Sequence, residues 1–204
     1  FCSGVSYKWI LGVLAVLFPL GAVFVYMLQY EMIPFLRGYQ ATRILAWINP
    51  KEYSAAYWQQ ENSIMAIGSG QFWGKGLNNT EIASVKNGNF LSEEQTDFIF
   101  AIIGEEMGFV GAMIVIALFL LLVYECLMMA YRAKDLSGRL ICTGMATLLA
   151  FQSFANIAVA TAIFPNTGLP LPFVSYGVSS LLSLYIGIGV VLNVGLQRRY
   201  SNEW

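Results

Sequence analysis

The run Leu91-Ser92-Glu93-Glu94-Gln95-Thr96-Asp97-Phe98-Ile99-Phe100 sets a cluster of carboxylates beside the start of a long hydrophobic segment. Acids are costly next to hydrocarbon, so one kept there marks a functional site by default. Asp97 is the strongest such candidate. If the chain is helical from Glu93 onward, then Glu93, Asp97, Ala101, Gly104, Glu105 and Gly108 share one face. Small residues between acids leave a groove that a helix or a ligand can approach closely. From that groove Asp97 can take a proton from a hydroxyl nucleophile. Asp97, Glu93 or Glu105 can also contribute oxygen to a divalent cation. The same acids equally suit a helix N-terminus with no chemistry at all, and spacing leaves both readings open. Glu106 falls on the other face and reads as structural.

Two further stretches bear on that groove. Gly68-Ser69-Gly70-Gln71-Phe72-Trp73-Gly74-Lys75-Gly76 lacks the spacing of a nucleotide-binding loop. Its glycines can still bring backbone N–H groups near an anion, with Lys75 as a point charge. The plainer alternative is a tight turn with a solvated lysine. The stretch from Pro165 to Gly177 holds Pro165, Pro170 and Pro172 and cannot be regular helix throughout. Irregular backbone at membrane depth must be buried in protein or line a wet cavity, so this turn, with Ser175, is expected beside Asp97. Gln152, Ser153 and Asn156 are spaced to share a helix flank, where interhelical hydrogen bonding explains them.

The composition says what kind of element must carry these residues. Of 204 residues, 57% are hydrophobic and 11% charged, where a soluble domain has roughly 25% charged. The chain is therefore read as an integral membrane protein. A net charge of −1 supplies no basic surface for nucleic acid. With no histidine, acid–base work falls to carboxylates, Lys or Tyr. Cys2, Cys126 and Cys142 share no ligand spacing and read as small hydrophobes. The chain starts at Phe1, which suggests an interior-to-C-terminal piece of a longer protein.

The expected fold is an all-α polytopic membrane protein with four transmembrane helices, at 9–29, 107–131, 140–164 and 173–196. Between the first two lies a large extracytoplasmic loop, 30–103, with short helices near 41–48 and 58–67. Lys8, the Arg132-Lys134-Arg139 cluster and Arg198-Arg199 share one side, which the positive-inside rule makes cytoplasmic. The proline-rich turn, 165–172, then lies outside with the large loop, and the tail 197–204 inside.

The longer motifs are similar to those of a known family. Leu91 to Phe100, followed by Gly104-Glu105-Glu106-Met107-Gly108-Phe109, resembles a signature of the SEDS family (shape, elongation, division and sporulation), which includes RodA, FtsW and SpoVE. Ala66-Ile67-Gly68-Ser69-Gly70, Gly74-Lys75-Gly76 and Gly168 to Gly177 match its other marks in the right order. Gln95 stands where the family usually has His, Ser92 where it has Pro, and Val178 where it has Gly; Trp58 and Asn62 also depart from its pattern. The resemblance implies the last four helices of a ten-helix fold in a bacterial cell membrane. It implies a peptidoglycan glycosyltransferase that polymerises lipid II, inactive as this piece alone, with membrane lipid around it and a class B penicillin-binding protein as partner. It makes Asp97 the catalytic residue, and it brings in Lys75, Glu93, Thr96, Gln59, Ser63 and Ser175 as substrate contacts. It further implies a divalent cation, Mg or Mn. Two other functions stay open, a flippase for the lipid-linked precursor and a silent scaffold for the penicillin-binding protein.

Overall fold

The computed structural model describes residues 7–29, 39–77 and 96–197. Those residues form six α-helices and no strand: α1 (Tyr7–Gln29), α2 (Tyr39–Ile48), α3 (Ser54–Ser69), α4 (Ile99–Arg132), α5 (Leu136–Ala160) and α6 (Val178–Gln197). Three of them, α4, α5 and α6, are long and apolar enough to cross a membrane. The chain divides into two units, Phe1–Tyr57 and Trp58–Trp204. α3 crosses that division, and its residues from Trp58 onward belong to the second unit.

The first unit contains α1, with Pro19 inside it, and α2. An apolar stretch, Leu11–Gly21, runs through α1. α2 stops where Pro50 disfavours helical backbone at Asn49, after a last bond from Asn49 N–H to the Leu45 carbonyl at 2.8 Å.

In the second unit, α4 and α5 are joined by a short link and pack as antiparallel neighbours, with α6 against both. Their shared core is made of small side chains, Cys126, Ala130, Cys142 and Ala146, closed by Leu149, Leu184 and Val191. Lipid supplies no hydrophobic drive between helices, so close backbone approach over small residues is what holds them. Cys126 and Cys142 are buried free thiols in that core, as the sequence suggests.

α3 has the opposite polarity to a soluble helix. It buries Gln60, Asn62 and Ser63 and exposes Trp58, Ile64 and Met65. Its polar face meets the end of α5, where the chain leaves helical geometry and carbonyl groups need donors.

The continuous helical stripe expected from Glu93 to Gly108 is not what forms. Glu93 lies outside the described residues. Thr96, Asp97 and Phe98 make a turn, and the helix begins at Ile99. Phe98 turns into the protein and is fully buried against Ala66, Ala101 and Val159, which fixes where helix starts. Gly108 then breaks α4, with φ 66° and ψ −165°, a region open essentially to glycine alone.

Candidate active site

Three groups of polar contacts gather around the first turns of α4. The first is a joint between the 70–76 turn and the break at Gly108. An unbroken helix would bond the N–H of Phe109 and Val110 to the carbonyls of Glu105 and Glu106. Instead Phe109 N–H donates to the Gln71 carbonyl at 2.9 Å and Val110 N–H to Phe72 at 3.2 Å. The two vacated carbonyls accept from Lys75 N–H at 2.9 Å and Gly76 N–H at 3.0 Å. Two N–H groups and two carbonyls that the break frees are thus satisfied again by the turn. The approach is so close that a Cβ on Gly74 would sit 2.1 Å from the Glu106 carbonyl oxygen, and one on Gly108 would sit 2.3 Å from Gly74 N.

The same joint brings together two of the expected site residues. Lys75 Nζ lies 2.8 Å from Glu105 Oε1, with the Glu105 side chain 2% exposed and that of Lys75 22%. The lysine and the acid, thirty positions apart, form a largely buried ion pair. The stretch that the sequence offers as an anion cradle is thus a helix-locking turn, and its charge is matched from within the chain.

The second group holds the Asp97 turn. Asn156 Nδ2, on α5, donates to the Asp97 carbonyl at 2.9 Å and to the Leu169 carbonyl at 2.8 Å. Ser175 Oγ donates to the Thr96 carbonyl at 2.6 Å and accepts from Leu171 N–H at 2.8 Å. The proline-rich stretch and the Asp97 turn are therefore fastened to each other at two successive residues. Asp97 itself is half-buried. Phe173, in the same stretch, has φ 62°, a strained value for an aromatic residue and of a kind that concentrates at functional sites.

The third group ties α3 to the end of α5. Gln60 Nε2 donates to the carbonyls of Val159 and Phe164, at 3.2 and 2.7 Å. Ser63 Oγ donates to the Ala160 carbonyl at 2.7 Å. Gln59 Oε1 accepts from Asn166 Nδ2 at 3.4 Å.

These contacts sort the sequence candidates. Asp97 and Thr96 sit in the turn against the proline-rich stretch. Ser63 and Ser175 are buried at 0% and 2% exposure, and their hydroxyls are committed to carbonyl groups; the geometry makes them fasteners of backbone. Gln59 faces Asn166 at the loop between α5 and α6. Lys75 and Glu105 form their own pair. Gln60 and Asn166 were not singled out by sequence, although the unbroken polar run Gln59-Gln60-Glu61-Asn62-Ser63 is the signal that finds the first.

The sequence profile of the cell cycle protein family of FtsW, RodA and SpoVE matches residues 1–200. The chain belongs to that family. It is 36% identical over 200 residues to a probable peptidoglycan glycosyltransferase FtsW of Geobacter sp. strain M18, covering 98% of this chain and 51% of the relative. It is 37% identical over 206 residues to the peptidoglycan glycosyltransferase MrdB of Escherichia coli, covering 100% of this chain and 52% of that one. Among solved structures it resembles a chain from a study of polymerisation and crosslinking by a peptidoglycan synthase complex. The TM-score is 0.68 and the identity 29%, over 96% of this chain and 51% of that one. The chain spans about half the length of the curated relatives it matches.

A divalent cation would draw on carboxylate oxygens. Among the described residues no three His, Cys, Asp or Glu side chains converge to hold a metal ion. Glu105, one of the acids considered for that role, is bound to Lys75.

Proposed function

We propose that the full-length protein is a peptidoglycan glycosyltransferase that polymerises lipid II, and that Asp97 is its general base. The carboxylate would take the proton from the 4-hydroxyl of one sugar as that oxygen bonds to the anomeric carbon of the next, and the polyprenyl pyrophosphate would leave. The observation that carries this reading is the double fastening of the Asp97 turn to the proline-rich stretch. A half-buried acid on a backbone tied at two successive carbonyls is pre-organised in the way a base must be. The names of the relatives support the same reaction. Any divalent cation would draw on Asp97 and on Glu93, which lies outside the described residues, and no step is routed through it here.

α1 is read as a fourth span, with the two ends of the chain and the Arg132–Arg139 link cytoplasmic. A class B penicillin-binding protein is the proposed partner, supported by the likeness to a chain from a synthase complex that also crosslinks. In the full-length protein, Asp97→Ala is expected to abolish lipid II polymerisation in detergent at unchanged expression. Glycan synthesis near the parent rate by that variant would refute the assignment.

A further inference from the structure

We infer that Asn156 is a positioning residue for Asp97, an inference that rests on the glycosyltransferase reading of that acid. Both partners of the Asn156 amide are carbonyl oxygens, so only its nitrogen can face them, and the orientation of the amide follows from chemistry alone. The side chain is 1% exposed, so water does not compete for these bonds and they act in a low-dielectric interior. Its Oδ1 has no partner among the described residues, which leaves the two N–H donors as the whole of its work.

Those donors join two segments that no helix holds. One is the turn at 96–98, ahead of α4, and the other is the irregular stretch through Leu169. Asp97 is thereby gripped at three consecutive residues. Thr96 is held through its carbonyl by Ser175, Asp97 through its own carbonyl by Asn156, and Phe98 by full burial of its ring. Asn156 is the member of this set that acts on Asp97 itself, and it does so from α5, the helix that anchors the site to the packed core. A base must meet its proton within narrow limits, and a misplacement of about 1 Å costs about 100-fold in rate.

The test uses the full-length protein, lipid II as substrate, and kcat, KM and thermal midpoint in detergent measured together. Asn156→Leu, close in size and without donors, is expected to lower kcat by about 10- to 100-fold. KM should stay near the parent value, the midpoint should fall because two carbonyls lose their buried donor, and kcat is therefore compared per folded enzyme. Asn156→Ala also lacks donors and adds no charge, and serves if the leucine variant does not accumulate. Asn156→Gln, which keeps the amide, should recover part of the loss. An unchanged kcat in the donor-free variants, alongside an inactive Asp97→Ala, would overturn the inference and leave the glycosyltransferase reading standing. So would a loss that follows the folded fraction alone and is not recovered by glutamine. An active Asp97→Ala would instead bring down the reading beneath it.

Discussion

Ser63 and Gln60 show how a polar residue is used when water is scarce. Ser63 donates to the Ala160 carbonyl at the end of α5, and Gln60 to the carbonyls of Val159 and Phe164. Removing such a donor strands a buried acceptor, a loss of about 1–3 kcal/mol. Ser63→Ala should therefore lower the unfolding free energy by that amount, measured in mixed detergent micelles, and an unchanged value would mean that water reaches the Ala160 carbonyl. At this scale much of the candidate site was legible, since Asp97, Lys75, Glu105 and Ser175 all stood out as polar residues in apolar surroundings. What each side chain faces was not. Lys75 and Glu105 lie thirty positions apart, and a pair of that separation is set by how the 70–76 turn meets α4, which local spacing does not encode. Asn156 was read as a generic interhelical hydrogen bonder, and only its two carbonyl partners tie it to Asp97.

The helices themselves follow from apolar runs, yet α4 departs from the run that suggests it. Its backbone turns helical at Ile99, ahead of the apolar segment that begins near Met107, because Phe98 is drawn into the protein and seeds the first turn. Gly108 looked like one more small residue on a helix stripe. It is the break, and the glycine is needed because φ is positive and Gly74 lies against it. Gly108→Ala should destabilise the protein by at least about 2 kcal/mol, whereas Gly144→Ala on α5, with nothing within 4 Å of the new methyl, should be neutral or stabilising by up to about 1 kcal/mol. Comparing the two unfolding curves isolates the break, because both substitutions add the same methyl group. Equal effects would mean that α4 can run straight through residue 108.

The all-helical class and the membrane setting were plain from composition, and the family from its long motifs. The whole molecule adds a sense of depth. Beyond Gly108, α4 continues over 109–132, about 24 residues or about 36 Å, against a hydrocarbon core of about 30 Å. The joint and the basic link thus stand about one membrane apart. Cysteines placed at Trp73 and Ser137 in a cysteine-free parent should accordingly be labelled from opposite faces of the cell membrane, Trp73→Cys from outside and Ser137→Cys from inside. Labelling of both from one face would invert or abolish the proposed orientation. The four exchanged bonds at the joint carry one more implication, for inheritance. They are all main-chain, so they read no side chain, and the genetic text around them is free to drift wherever a β-carbon does no harm. A saturation library across 70–76 and 104–110 should tolerate broad replacement at Trp73, which is 81% exposed, while rejecting almost everything at Gly74 and Gly108.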